Sequence, residues 1–200
     1  MKIKDVKYAF KIADVELIEN STTLNFIYLD PVKDENKKIL PKNILTKNYS
    51  RVYLIVIDKK IMKIGASQDK GGMKGTLSIY KDGGVKGRPS IRSFGVWYLL
   101  YSYAIKRKHK IEFYMIYHED FETEVKGLTN MHKVSNASIN CKIIEECCIK
   151  DFKNKNNNKY PEWNLQEQGF DWPDEIKFQH SQITTESLTR KTTRGKLKNN

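Results

Sequence analysis

The chain has 200 residues, which suits one domain with terminal arms. It carries 36 Lys and Arg against 24 Asp and Glu, a formal net charge of +12, and its 39% hydrophobic and 11% aromatic residues exclude a wholly disordered chain. The apolar run over residues 94–105 is interrupted by Gly and Ser and is much shorter than the roughly 18 residues of a membrane span. The opening residues become polar at once, so we expect no secretory signal.

The three cysteines are an odd number and lie close together, at Cys141, Cys147 and Cys148. This spacing fits neither a disulfide framework nor a zinc site, which draws paired cysteines or histidines from two places in the chain. We therefore expect free thiols on a helix of a cytoplasmic protein.

The excess of positive charge favours nucleic acid as the partner, because clustered Lys and Arg release the counterions condensed on phosphates. A second explanation stays open at this point. Chains rich in Lys and Asn are common where a genome is AT-rich, and residues 153–159 have that composition.

Residues 1–49 alternate short apolar clusters with turn residues and predict an N-terminal arm or accessory layer, with strands at 6–12 and 22–28. The apolar, β-branched run 52–57 predicts a buried strand, and after a short polar turn 61–64 predicts its hairpin partner.

The segment after this hairpin, residues 66–93, is rich in Gly and basic residues and predicts a loop that can approach a phosphate. A largely buried helix follows at 94–107, then a strand at 110–117 and a polar loop at 118–136. A second helix begins near Ser138. The fold class is therefore α+β, with a small three-stranded antiparallel sheet flanked by helices. The domain reaches from 50 to 180, and 181–200 form a mobile basic tail.

Two short motifs in the hairpin resemble those of the GIY-YIG nucleases. In that family one strand carries Gly-Ile-Tyr and the next carries Tyr-Ile-Gly. Arg51-Val52-Tyr53 stands at the first position and Lys63-Ile64-Gly65 at the second. Lys in place of the usual Tyr resembles the restriction-enzyme branch of the family.

The late helix carries a second resemblance, to the family's Glu-x-x-Leu-Ile-Lys-x-aromatic helix and the Pro-x-aromatic-Asn stretch behind it. The matching residues are Glu145-x-x-Cys148-Ile149-Lys150-x-Phe152 and Pro161-Glu162-Trp163-Asn164. The likeness spans about residues 51–165, a little over half of the chain.

The resemblance implies that Tyr53 acts as base or positions the water, and that Glu145 holds a divalent ion such as Mg²⁺. A cation at Lys63 would favour the Tyr53 phenolate. The plainer readings stay open: Tyr53 as a strand aromatic, Lys63 and Glu145 as solvated residues. Glu146 is an alternative to Glu145 for the metal-binding role. The residues three, four and seven positions after Glu146 fit the family's helix motif less well than those after Glu145.

The phosphate-binding cation departs from the family pattern, which places an Arg nine to ten residues after the second-motif Gly. Lys74 and Gly75 occupy those positions. We expect Arg92, at the start of the predicted helix, to take this role, with Lys74 as the second choice. Lys74 and Arg88 are expected to contact phosphate or DNA.

Two other readings compete with this one. Glu124-Val125-Lys126 matches the E-x-K half of the PD-(D/E)xK nucleases, but an Asp at the needed distance before it is missing. The second competing interpretation is a basic DNA- or RNA-binding protein without catalytic activity. The favoured expectation is a metal-dependent endonuclease that cuts double-stranded DNA at a specific sequence, as type II restriction enzymes do, and acts as a homodimer.

Overall fold

The computed structural model describes residues 1–83, 89–105, 108–118, 122–135 and 137–184. Its main sheet is antiparallel and has five strands in the order β2-β1-β5-β3-β4. The strands are β1 (Phe10–Leu17), β2 (Leu24–Tyr28), β3 (Ser50–Ile57), β4 (Lys60–Ser67) and β5 (Ile111–His118). The predicted α+β class is confirmed, and the predicted count of three strands in the sheet is wrong.

The two extra strands come from the N-terminal segment. β1 pairs with β5, where Phe10 lies opposite Met115, and β2 pairs with the other side of β1. Phe10, Ile12 and Leu24 are buried in the same core as β5. The strands were predicted from local alternation, but their place beside β5 depends on a pairing distant in sequence, which periodicity does not reveal.

The hairpin of β3 and β4 forms as predicted, and all eight residues of β3 are buried. Asp58 and Lys59 connect the two strands, with φ of 45° and 70°. Two consecutive residues in the left-handed region are typical of the hairpin turns whose twist matches that of the strands.

Among the described residues, four helices flank the sheet, and the sequence does not predict the first of them. α1 (Gly72–Ile79) lies inside the segment predicted as a Gly-rich loop. α2 (Ile91–Tyr98) continues as a π-helical stretch, Leu99–Ile105, and begins earlier than predicted because the Ser90 hydroxyl accepts a hydrogen bond from the Ser93 N–H at 3.2 Å. The other helices are α3 (Ala137–Lys155) and α4 (174–184).

The predicted polar loop at 118–136 is also corrected. It contains an antiparallel hairpin of β6 (Glu122–Lys126) and β7 (Met131–Ser135). The described residues from Lys126 to Lys133 are all exposed. Such a ribbon has no apolar face for the core, so the sequence lacks the alternation by which strands are recognised.

The alternation of side chains along β3 divides the core into two layers. Tyr53, Ile55 and Ile57 face the layer that α1 and α2 cover. Val52, Leu54 and Val56 face α3, where Ile149 and Phe152 pack on them. β4 is the outer strand of the sheet, so residues from both layers can meet at its free edge. None of the described helices is long and apolar enough to cross a bilayer.

Candidate active site at the edge of strand β4

The Tyr53 ring lies directly over Gly65, its partner across the β3–β4 ladder. A Cβ atom placed on Gly65 would stand 2.4 Å from both Cζ and Oη of Tyr53. Real Cβ atoms do not approach other heavy atoms so closely. The glycine of the second motif is therefore required by the path of the first-motif tyrosine.

The Tyr53 hydroxyl is buried and lies 2.8 Å from that of Tyr80, at the end of α1. Burial raises the pKa of Tyr53 well above its usual value, the neighbouring Tyr80 raises it further, and Arg92 lowers it in part. Burial also raises the pKa of Tyr80. Both phenols are therefore neutral at neutral pH, which differs from the expected Tyr53 phenolate beside Lys63.

Residues distant in sequence form hydrogen bonds with the backbone groups along the free edge of β4. The Trp163 N–H donates to the Met62 carbonyl at 2.8 Å. The buried Asn164 amide pairs with Ile64 in both directions: its Oδ1 accepts from the Ile64 N–H at 2.9 Å, and its Nδ2 donates to the Ile64 carbonyl at 2.8 Å. Asn164 thus takes the place of a further strand, and the 161–164 segment is fixed against β4.

Glu145 of α3 takes the next position along this edge. Its Oε1 accepts a hydrogen bond from the Ala66 N–H at 2.9 Å. Burial raises the pKa of Glu145, as does the nearby Glu167, whereas the Ala66 N–H, Lys63 and Arg92 lower it, and the net shift is upward. Glu146, by contrast, is exposed and lines a groove beside Lys150. Of the two neighbouring carboxylates, Glu145 is the one held against β4.

Lys63 is buried on the same strand, between Met62 and Ile64, and is only 3% exposed. Its ammonium donates a long hydrogen bond, 3.5 Å, to the Trp163 carbonyl. Burial lowers the pKa of Lys63 to about 8; Arg92 lowers it as well, and the carboxylates of Glu167 and Glu145 oppose this. Its charge is therefore more easily lost than that of an ordinary lysine.

Arg92, in the first turn of α2, is the common neighbour of these groups, because its charge acts on Tyr53, Lys63 and Glu145 alike. Its Nη2 lies 3.8 Å from Oε1 of Glu167, which is an ion pair longer than a hydrogen bond. The Arg92 side chain is 44% exposed. Arg92 is thus a partly exposed cation at the mouth of a buried cluster.

The fully buried Arg51 braces the neighbouring loops. Its guanidinium donates to the Tyr49 carbonyl at 2.7 Å, to the Ser67 hydroxyl at 3.2 Å and to the Asp69 carbonyl at 3.1 Å. These bonds hold the end of β4 and the chain that leads to α1. Arg51 is the first residue of the first motif, and its hydrogen bonds therefore connect this motif with the segment that carries Tyr80.

The structure thus brings together Tyr53, Lys63, Arg92 and Glu145 from four elements. It places Lys74 elsewhere: its ammonium lies over the Tyr28 ring, 4.8 Å from the centroid, beside the loop of residues 29–45. Arg88 lies outside the described residues. Glu124 and Lys126, the E-x-K match, lie on the exposed β6–β7 hairpin.

Tyr80 and Glu167 belong to this cluster and were not predicted. Neither stands in a motif; a helix ends at Tyr80, and Glu167 lies in a short 3-10 turn, Gln166–Gln168. Asn164 was part of a quoted motif but was given no role. Its role depends on the backbone of Ile64, 100 residues earlier in the sequence, so the motif does not reveal it.

The donor set of the cluster suits a hard divalent cation. Within the part of the chain that the structure describes, no group of three or more His, Cys, Asp or Glu side chains lies together as a closed metal site. Mg²⁺, however, keeps most of its waters and binds through one or two carboxylates together with substrate phosphate oxygens. The charge of Glu167 raises the pKa of Glu145, an effect that a divalent cation would oppose.

No protein-family model matches the chain, and no curated protein matches it in sequence. A mutant of bacteriophage T4 EndoII is similar in structure, with a TM-score of 0.49 and 18% identity over 82% of this chain and 99% of that chain. Restriction endonuclease HPY188I in complex with product DNA is similar with a TM-score of 0.42 and 19% identity, over 80% of this chain and 84% of that chain. The function of this chain is therefore inferred from its own residues.

Proposed function

We propose that this protein is a DNA endonuclease of the GIY-YIG type, which hydrolyses phosphodiester bonds in double-stranded DNA with the aid of a divalent cation. One observation carries the proposal: Glu145 of α3 is hydrogen-bonded to β4, the strand that carries the buried Lys63, and the charges of Glu145 and of Arg92 from α2 act on both Lys63 and the Tyr53 phenol of β3. These groups suit phosphodiester hydrolysis, in which a water must be oriented and the charge on the phosphate must be stabilised.

Arg92 is the group that meets the phosphate first. It is partly exposed, and its distance of 3.8 Å from Glu167 leaves the guanidinium donors uncommitted to that carboxylate. A phosphate oxygen then replaces Glu167 as its partner. Lys63, deeper in the cluster, adds a second positive charge where negative charge develops in the transition state.

Tyr53 orients the attacking water. Because its pKa is raised well above the usual value, Tyr53 is a neutral phenol, which accepts a hydrogen bond from water and donates its own proton onward. In the hydrogen bond between Tyr53 and Tyr80 only one hydroxyl donates, so the other keeps a proton for a third group. The pair can therefore pass a proton without the formation of a free phenolate.

Glu145 would hold the divalent cation, with Glu167 close enough to assist. When bound, such a cation supplies Lewis-acid stabilisation of charge on the phosphate oxygens. Glu145 itself contributes a carboxylate whose position is fixed by the Ala66 N–H. This bond occupies Oε1 and leaves Oε2 for a ligand.

We further propose sequence-specific cleavage by a homodimer. One cluster of this kind cuts one strand, and two copies related by a two-fold axis place one cluster on each strand of a duplex. The net charge of +12 supports binding of the duplex backbone.

The proposal is tested by incubation of plasmid DNA with the pure protein and Mg²⁺, against an EDTA control and a Glu145→Gln control. Discrete fragments that require Mg²⁺ and Glu145 are expected. Intact plasmid under all conditions would contradict the enzyme assignment. A gel shift without cleavage would favour the alternative, a basic DNA- or RNA-binding protein, for which the same positive charge also speaks.

A further inference from the structure

The β6–β7 hairpin carries apolar side chains at its exposed end. Leu128 is fully exposed at 105% and Met131 is 53% exposed. The turn is closed by the Gly127 N–H, which donates to the Asn130 carbonyl at 2.8 Å. An isolated two-stranded ribbon is only marginally stable in water, and exposed apolar residues on such a ribbon point to an interaction surface.

The hairpin is rooted at the same end of the sheet as the candidate active site. The hairpin follows β5, whose last residue, His118, pairs with Ser50 at the start of β3. The next residue of β3, Arg51, pairs with Ser67 at the end of β4. The hairpin precedes α3, where the Cys141 thiol accepts a hydrogen bond from the Gln68 amide at 3.1 Å. The described residues on either side of the hairpin, His118 and the first turns of α3, therefore lie at the end of the sheet where Glu145 contacts Ala66.

The side chains near the tip are lysines and groups able to contact bases, and Glu124 lies opposite Lys133 farther from the turn. Lys126 lies opposite Met131, and Lys133 follows two residues later on the same face. On the other face the His132 ring leans over Gly127, where a Cβ atom would stand 2.5 Å from its Nε2. Asn130, exposed beside Leu128, carries an amide that can pair with an adenine edge.

We propose that the β6–β7 hairpin is the element that reads DNA sequence, lying as a β-ribbon in the major groove of the duplex held at the active site. The major groove is about 12 Å wide and admits a two-stranded ribbon. Lys126 and Lys133 contact phosphates on its flanks, Asn130 contacts a base edge, and Leu128 contacts thymine methyl groups or an adjacent base step. This inference rests on the proposed endonuclease function.

The test uses the full chain with Glu145→Gln, which should bind DNA without cutting it. This parent protein selects duplexes from a library randomised over about two helical turns. The same selection is then made with Leu128→Ala and Asn130→Ala added. We expect the preference to fall about tenfold or more at one or more base pairs. Affinity for unselected duplex should stay within about twofold, since Lys126 and Lys133 remain.

A lysine variant and a matched control separate the contributions. Lys126→Ala with Lys133→Ala should weaken binding to all sequences and make the salt dependence shallower by about two charges. Ile39→Ala removes a comparably exposed apolar side chain, 61% exposed, from the loop before β3 and should leave the selected sequence unchanged. Thermal melts of all variants should agree, because the hairpin end contributes little to the core.

The outcomes distinguish the two proposals. A selected sequence that the tip variant leaves unchanged overturns the hairpin assignment and leaves the endonuclease proposal intact. A tip variant with unchanged preference but altered mass in solution would assign the hairpin to contact between two copies of the chain, and this also overturns it. A parent protein that binds no duplex overturns both proposals.

Discussion

The Tyr53 ring lies against the Cα atom of Gly65, its partner across the β3–β4 ladder. Tyr53 is fixed between this glycine on one side and the Tyr80 hydroxyl on the other. The two short motifs of the hairpin are therefore one packing unit, in which the second provides the space that the first fills.

Gly65→Ala should displace the Tyr53 ring, because the new methyl group would stand 2.4 Å from its hydroxyl oxygen. We expect a loss of about 1–3 kcal/mol in the free energy of unfolding, measured by denaturant titration. In a Tyr53→Leu background the same change should cost much less, since the three nearest atoms around the added Cβ all belong to Tyr53. Equal costs in both backgrounds would contradict the packing described.

Tyr53→Phe keeps the ring over Gly65 and removes only the hydroxyl. Plasmid cleavage should fall by about 10² or more, the usual effect of removing a group that transfers a proton. Stability should fall by only about 1 kcal/mol, since one buried hydrogen bond, to Tyr80, is lost. Tyr80→Phe breaks the same bond and leaves Tyr53 in place, so it is the matched control for stability, and its cleavage rate measures how far the reaction depends on proton transfer through the pair. A folded Tyr53→Phe protein that cuts at the normal rate would remove Tyr53 from the mechanism.

The β3–β4 hairpin could be predicted because its signals are local. A six-residue apolar run at 52–57 and the short polar turn after it are visible in the sequence. Gly65 and Glu145 could be found through the family resemblance. The helix α1 could not be predicted, because the glycines of its segment favour loops. Tertiary contacts of Met73 and Leu77 override that local preference.

The remaining partners of the site could not be predicted, because they approach it through the tertiary fold alone. Tyr80 meets Tyr53 across 27 residues of sequence, and Asn164 meets Ile64 across 100. Arg92 was chosen over Lys74 from its place at the start of a helix, and the structure puts Arg92 beside Lys63 and Lys74 over Tyr28. The family spacing alone points to Lys74, because spacing does not report which way a side chain points.

Lys63 should make stability depend on pH in a defined direction. Its pKa of about 8 in the folded protein lies below the ordinary 10.5 of the unfolded chain, so the folded state binds this proton less tightly. The buried charge therefore destabilises the fold fully below pH 8, and the cost disappears as the pH rises from about 8 to 10.5. The linkage between protonation and folding gives a difference of about 3 kcal/mol in the free energy of unfolding between the two ends of this pH range.

Lys63→Met is the variant that isolates this effect, because it keeps the aliphatic stem and removes the charge. Unfolding free energies of the two proteins, measured from pH 7 to 10, should converge as the pH rises, while the tyrosines titrate alike in both. Parallel curves would show that Lys63 is not buried as described. Cleavage should be lost in Lys63→Met and, in the unmodified protein, should decline above pH 8 as the cation disappears.

Asn164→Ala should open the edge of β4. The amide makes two hydrogen bonds with the Ile64 backbone and is fully buried, so its removal leaves both backbone groups without these partners. We expect a loss of about 2–4 kcal/mol in stability. Gln168→Ala is the control, since that half-buried amide donates to the carbonyls of Pro161 and Asn164 and not to the Ile64 backbone. Hydrogen exchange at the Ile64 N–H should accelerate in the first variant and stay slow in the second.

Glu145→Gln should separate catalysis from folding and from DNA binding. The amide oxygen of Gln still accepts the Ala66 N–H, so α3 stays attached to β4, whereas Glu145→Ala loses this bond. Burial raises the pKa of Glu145, so its ionised form destabilises the fold as the pH rises through that value, and Gln removes this cost. We therefore expect Glu145→Gln to melt at or above the normal temperature at neutral pH, to bind DNA and to cut none of it.

The same variant tests the metal without any measurement of activity. Millimolar Mg²⁺ should raise the melting temperature of the unmodified protein, because a ligand that binds only the folded state stabilises it. It should leave Glu145→Gln unchanged, and Glu146→Gln should respond as the unmodified protein does, since that carboxylate is exposed, whereas Glu145 is held against β4 by the Ala66 N–H. A response lost in Glu146→Gln and kept in Glu145→Gln would move the metal ligand to the neighbouring residue. A response kept in both variants would place the cation away from α3, and the carboxylate would then serve only to fix the helix against the edge of β4.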